Sequence, residues 1–255
     1  MAMRGTRGIA CWLLVFLLFL SGCAGGMPRI PQSPEAILER GDAYYKRKMY
    51  FQAQELYKAF LQRYPGDPRS DYAQYRLGDA LFLGEEYALA AVEFHIMVTN
   101  YGYSEYVDDA YFKEALCYYH QALKPRLDQT KRQDALDRLQ RFVTVFPESP
   151  LVPEAQQYIQ KIQEKLAEKA FDNAMFYRKH KRYRSAEIYF DKILNDYPNN
   201  KYWARSAYYK GLILLQRDEE DEAIKWFSEV VNYPHNVDVK PLAQRELRKI
   251  REQSQ

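Results

Sequence analysis

The chain has 255 residues, of which 37 are Lys or Arg and 34 are Asp or Glu, and 47% are apolar. Such near balance argues against a nucleic-acid partner, because phosphate binding draws on a surplus of basic side chains on one face. The length and apolar content suffice to bury a core without disulfides, and the three cysteines supply too few thiols for a disulfide framework.

Residues 1–22 read as a secretion signal. Arg4 and Arg7 precede an apolar run from Ile9 to Leu20, and Leu20-Ser21-Gly22-Cys23 closes it with small residues and a thiol. Twelve apolar residues fall short of the ~20 that span a bilayer as a helix, so cleavage before Cys23 is expected. The Leu-Ser-Gly-Cys lipobox resembles that of bacterial lipoproteins, which implies that Cys23 becomes the mature N-terminus and carries acyl chains such as palmitate. Each buried methylene adds about 0.8 kcal/mol of membrane affinity, and more than one chain is needed to hold firmly. Ala24 after the cysteine, rather than aspartate, is the pattern sorted to the outer membrane of Gram-negative cells. Cleavage removes two arginines and no acid, leaving 35 basic against 34 acidic residues. Cys11 leaves with the signal and Cys23 is lipidated, so Cys117 has no partner for a disulfide. Residues 23–33 form a flexible tether.

From residue 34 a repeat organises the chain. Small residues fall at Gly41, Gly78, Ala115, Ala174 and Gly211, at intervals of 37, 37, 59 and 37. Twelve residues after four of these stand Ala53, Ala90, Ala186 and Ala223; after Ala115 the matching Ala135 comes at twenty. Four residues beyond each alanine sits a bulky apolar side chain: Tyr57, Phe94, Leu139, Phe190, Phe227. That spacing places alanine and bulky residue on one helical face. Pro65, Gly102, Pro147 and Pro198 follow as stops, with Pro234 one place early in the last unit. Proline lacks a donor and disfavours helix before itself, so each unit ends there, as two antiparallel helices. The pattern Gly-x11-Ala-x3-Phe/Tyr-x7-Pro resembles the tetratricopeptide repeat, slightly longer than its usual period. It implies an all-α tetratricopeptide solenoid of five helical hairpins.

The long interval holds 22 extra residues. Eight lie between Ala115 and Ala135, in a polar, proline-bearing loop across 121–133. The other fourteen, about four helical turns, follow Pro147 and predict one long helix from Pro153 to about Lys179. It would act as a rigid spacer between an N-terminal lobe, 34–149 with repeats 1–3, and a C-terminal lobe, 150–255 with repeats 4 and 5. Leu242, Leu247 and Ile250 among charges predict a solvent-facing capping helix at the end.

Lipobox, five repeats and long helix in this order resemble the BamD family, also called ComL. Local strings carry the match: Tyr106-Val107-Asp108-Asp109-Ala110-Tyr111 entering repeat 3, Asp134-Ala135 after the polar insertion, and Leu194-Asn195-Asp196-Tyr197-Pro198 closing repeat 4. The resemblance implies a lipid-anchored scaffold at the periplasmic face of the outer membrane, assisting assembly and insertion of β-barrel proteins. Its implied partners are the barrel-forming subunit with periplasmic repeat domains, accessory lipoproteins, unfolded outer-membrane protein C-termini and outer-membrane lipid. A second lipidated repeat class, the pilotins that escort secretin or pilus subunits, shares lipobox and repeats and stands as the alternative.

Catalysis has no foothold in the sequence. His95, His120, His180 and His235 are scattered without a His-x3-His pair, Cys117 sits on an apolar helix, and no phosphate loop or nucleophile elbow appears. No metal, no cofactor beyond the covalent lipid and no enzymatic activity are expected. Recognition by surface remains. On the first helix of each early unit, positions i, i+4 and i+7 give Leu38, Asp42, Tyr45; then Tyr75, Asp79, Phe82; then Phe112, Leu116, Tyr119, with Tyr72 flanking. This stripe could stack and hydrogen-bond an extended client peptide, and it would equally serve to pack neighbouring helices. The turns alternate in charge. Lys46-Arg47-Lys48 faces Glu85-Glu86, and the run from Arg178 to Arg184 faces Asp218 to Glu222, which fits attraction between stacked repeats. Arg178, Lys179, Lys181, Arg182 and Arg184 would also suit docking on an acidic partner.

Overall fold

The computed structural model describes residues 28–122, 129–235 and 237–253. The signal, the lipobox with Cys23 and residues 123–128 of the polar insertion lie outside them. The described residues are helical with no strand, and hairpins follow one another in chain order: α1 (Pro34–Lys46) with α2 (Tyr50–Arg63), α3 (Ser70–Leu83) with α4 (Tyr87–Asn100), α5 (Val107–Gln121) with α6 (Thr130–Val145), α7 (Val152–Lys179) with α8 (Tyr183–Asp196), and α9 (Trp203–Leu215) with α10 (Glu220–Asn232), before a last helix, α11 (Lys240–Gln253).

Each hairpin closes on the anchors that the spacing singled out. Tyr57, Phe94, Leu139, Phe190 and Phe227 are all fully buried, as are Ala53, Ala90, Ala135, Ala186 and Ala223. The glycines are there because the bulky ring leaves no room. A Cβ on Gly41, Gly78 or Gly211 would stand 2.9, 2.8 or 2.6 Å from the ring of Tyr57, Phe94 or Phe227. Apolar burial on this scale, at about 25 cal/mol per Å², holds helices that carry little else to stop them fraying.

Helix boundaries have local causes. Ser33 caps α1, its Oγ accepting from the amide of Ala36 at 3.2 Å, with Pro34 in the first turn. At the far end of each second helix an aromatic residue leaves helical geometry: Tyr64, Tyr101, Phe146 and Tyr197 have φ of −132, −125, −123 and −134°. Three precede a proline, which forces this. Tyr101 precedes Gly102 and does the same, so the tolerated substitution at the stop costs the fold nothing visible. The tight turn inside four hairpins places Lys48, Glu85, Lys181 and Asp218 in the left-handed region, φ 58 to 62°.

By contacts the chain divides between Ser104 and Glu105 into two compact units. In the first, α1 to α4 stack in sequence. Ahead of α1, residues 28–32 form a strap rather than a free tether. Pro28 is buried, and the carbonyls of Arg29, Pro31 and Gln32 accept from Arg40 (2.8 Å), Arg63 (3.1 Å) and Tyr64 (2.6 Å).

In the second unit the 28-residue helix α7 does more than space two groups of repeats. Its first half packs on α6 and its second half pairs with α8, so it backs repeat 3 and opens repeat 4. The last helix differs from the expected solvent-facing cap. Val239, Ala243 and Ile250 are buried in the core formed by α9 and α10, and Leu242 and Leu247 pack against it. Its charged face alone is wet.

Candidate functional site

In the first unit, α1 and α3 bring Asp42, Tyr45, Tyr72 and Asp79 together around a residue the stripe omitted, Arg76. Its guanidinium lies 3.6 Å from the centre of the Tyr45 ring and 5.8 Å from that of Tyr72, and 3.8 Å from a carboxylate oxygen of both Asp42 and Asp79. Asp42 accepts from Tyr57 Oη at 2.6 Å and from Tyr72 Oη at 2.8 Å. Tyr45 donates to Asp79. Burial, then the adjacent carboxylate, pushes the Tyr45 and Tyr57 hydroxyls far above the ordinary tyrosine value, so both remain neutral donors. One cation faces two carboxylates. The cluster therefore carries a net negative charge, which disfavours a further carboxylate and suits aromatic side chains and backbone N–H groups, while Arg76 Nε is buried without a hydrogen-bond partner. Tyr75 packs on Phe94 and Phe82 on Tyr87 beside it.

Four members of the expected stripe do not reach a surface. Leu38 is 6% exposed and Phe112 3%; both have turned into the hairpin core. Leu116 and Asp79 are buried as well. In the second unit, Tyr158 of α7 lies against Phe112 and edge-on to Tyr119, with ring centres 6.2 and 4.9 Å apart. The extra turns of α7 occupy the face that the stripe would have offered in repeat 3.

The basic run is split by the turn between α7 and α8. Lys179, Lys181, Arg182 and Arg184 are exposed. Arg178 instead turns inward, its guanidinium 4.5 Å from the Tyr209 ring centre and its Nε buried without a hydrogen-bond partner. Phe176 and Ile188 stand exposed nearby on the same two helices. The expected attraction between oppositely charged turns takes another form: Glu86 accepts from Gln54 at 2.9 Å, and Arg217 binds Glu187 at 2.6 Å. Short turn side chains reach the neighbouring helix before they reach the next turn. Among the described residues no group of His, Cys, Asp or Glu is arranged to hold a metal, and Cys117 is buried with its thiol pushed upward by that burial. No described helix is long and apolar enough to cross a membrane.

A family model described as an outer membrane lipoprotein, YfiO, matches residues 31–225. The chain belongs to this family. Members of the YfiO family similar to it include the outer membrane protein assembly factor BamD of Rickettsia prowazekii, 23% identical over 88% of this chain and 90% of that protein. The factor of the same name from Haemophilus influenzae is 25% identical over 86% and 85%. Among solved structures, a thermophilic tetratricopeptide protein of Thermus thermophilus is 15% identical over 84% of this chain and 99% of that one, with a TM-score of 0.40. The TPR2AB domain of yeast Sti1 is 14% identical over 78% and 76%, with a TM-score of 0.41.

Sequence reasoning missed Arg76 and Tyr57. Arg76 is four residues after Tyr72 and three before Asp79, so it shares their helical face and could have been found by running the stripe from Tyr72 rather than Tyr75. Tyr57 was assigned to packing alone, although its hydroxyl sets it apart from Phe94, Phe190 and Phe227 at the same repeat position.

Proposed function

We propose that this YfiO-family chain is a scaffold for outer-membrane protein assembly, tethered by lipid on Cys23 at the periplasmic face of the outer membrane. Its work is binding rather than bond-making. The observation that carries this reading is the match to two BamD assembly factors across 86% or more of the chain, on a fold whose hairpins keep their anchors from first to last. Within it, the Arg76 cluster of the first unit takes extended, aromatic-bearing segments of unfolded β-barrel clients, and the exposed Lys179, Lys181, Arg182 and Arg184 dock on an acidic face of the barrel-forming subunit. Accessory lipoproteins complete the complex.

Affinity purification of the lipidated protein from its own outer membrane in mild detergent, with partners identified by mass spectrometry, tests the reading. Recovery of a large barrel protein with periplasmic repeat domains is the expected result. Recovery of a secretin or pilus subunits in its place would make the chain a pilotin and overturn the proposal.

A further inference from the structure

The strap ahead of α1 builds a cleft that neither the repeats nor the aromatic cluster uses. Residues 29–32 run beside one face of α1, formed by Ala36, Glu39, Arg40, Ala43, Tyr44 and Arg47, and enclose a cleft of about 870 Å³. This is within the ~300–1,000 Å³ range of sites for small polar or apolar ligands. Arg29, Arg40 and Arg47 are exposed at it, opposed by the single carboxylate of Glu39, and Lys46 and Lys48 extend the positive charge into the adjoining turn. The other nearby acid, Glu35, is held by Arg69 at 3.0 Å.

Position along the chain gives this charge a meaning. Pro28 stands five positions after Cys23, and five steps of chain span at most about 18 Å when fully extended. The strap is clamped by Arg40, Arg63 and Tyr64, so the chain leaves the first unit at a fixed point, beside the cleft. If Cys23 holds acyl chains in a leaflet, the cleft cannot lie farther than that from the headgroups, and so short a tether lets it come within the Debye length of about 8 Å over which a surface potential acts at physiological salt.

We propose that this cleft binds the phosphate headgroups of anionic phospholipids in the leaflet that holds the anchor, and so sets the orientation in which the first unit stands on the membrane. The proposal deepens the scaffold reading, and its test does not depend on the acyl anchor. The mature chain bearing Cys23→Ser is mixed with vesicles of phosphatidylcholine alone or with about one-third phosphatidylglycerol, and the bound fraction is measured by co-sedimentation. Binding to the anionic vesicles only, lost at high salt, is expected. Arg29 and Arg47 make no described side-chain hydrogen bond or ion pair, so Arg29→Ala with Arg47→Ala leaves the strap clamped. At about fivefold per basic residue near such a surface, the double variant should bind about 25-fold more weakly. Glu39→Lys should bind more tightly, a gain that misfolding cannot mimic. Equal binding to neutral vesicles, or no change in either variant, would overturn the proposal. So would loss of binding in the Lys179, Lys181, Arg182 and Arg184 alanine variant alone, which would assign the membrane contact to the second unit. The mass of the native mature protein separately decides whether Cys23 is acylated.

Discussion

Gly211→Ala tests whether the ring and the glycine set the distance between paired helices. Alanine in a helix interior gains about 1 kcal/mol over glycine from propensity alone. Against that, the new Cβ would stand 2.6, 2.9 and 3.0 Å from three ring atoms of Phe227, which is fully buried and packed on Tyr208 with ring centres 5.9 Å apart. Overpacking of a filled core costs about 1–3 kcal/mol, so the net loss should be about 1 kcal/mol. In a Phe227→Leu background the clash disappears, as it has at the natural Ala115 and Leu139 pair, and the same change should become neutral or stabilising. The double-mutant cycle then shows a coupling of about 2 kcal/mol. Urea denaturation followed by fluorescence reads it cleanly, because Trp203 and Trp226 lie in this hairpin and the third tryptophan, Trp12, belongs to the signal. A shift of the midpoint at constant slope is the expected form. If Gly211→Ala raises stability, the helices part freely to the spacing that hairpin 4 adopts with Ala174 opposite Phe190, and close approach is not what selects glycine.

Glu85→Gly and Asp218→Gly should each stabilise by about 0.5–1 kcal/mol, since both residues sit in the left-handed region where a side chain is strained; a lower midpoint in either variant would show that the turn depends on the side chain instead. Arg76→Ala should cost about 2 kcal/mol by leaving the half-buried Asp42 and the buried Asp79 without their cation, and Arg76→Lys should recover little because a lysine cannot lie flat on Tyr45; full recovery by lysine in thermal unfolding would reduce Arg76 to a point charge. Hydrogen bonds from the Arg69 side chain and backbone hold the Asp67 carboxyl down to about 2. Its stabilising contribution is therefore complete above the unfolded value of about 3.9 and fades as pH falls through about 2, so Asp67→Asn should flatten acid unfolding in that window, and an unchanged acid limb would count against the pair. Cys117 should not react with a thiol reagent at pH 8 until the chain unfolds; rapid native modification would mean that α5 opens.

The repeat was legible because close packing leaves a periodic trace: a small residue, then a bulky one sixteen places on, is a physical pair, and Gly41, Gly78 and Gly211 touch Tyr57, Phe94 and Phe227 as that spacing implies. The long helix was legible for the same reason, since fourteen residues without a breaker must continue a helix. The turns were not. Lys48, Glu85, Lys181 and Asp218 occupy a conformation that usually advertises itself with glycine, while Gly84, next door, has an ordinary φ of −80°. The strap was not legible either. Its hold on α1 and α2 runs through the backbone carbonyls of Arg29, Pro31 and Gln32, and a carbonyl leaves no mark in a sequence. Period alone cannot tell a surface side chain from a core one: Asp42 and Tyr45 lie at Arg76, whereas Leu38, one turn earlier, is covered.

Tyr57 shows how the first unit joins fold and site in one side chain. At the position where repeats 2, 4 and 5 carry phenylalanine, its ring fills the space over Gly41 and is fully buried. Its buried hydroxyl then donates to Asp42, the residue next to that glycine, which also takes the hydroxyl of Tyr72 and faces Arg76. A core residue thereby fixes the rotamer of a groove residue, and through it two more. These hydrogen bonds hold the aromatic cluster in place from within the fold, and under the proposed client binding such a preorganised surface would lose less conformational entropy than a mobile one. The same hydroxyl is absent at Leu139, Phe190 and Phe227, where the fold needs only the apolar part. Repeat 1 departs from its siblings at the one atom that connects the packed core to the Arg76 cluster, and that placement is the physical reason to test the proposed client binding in the first unit before the second.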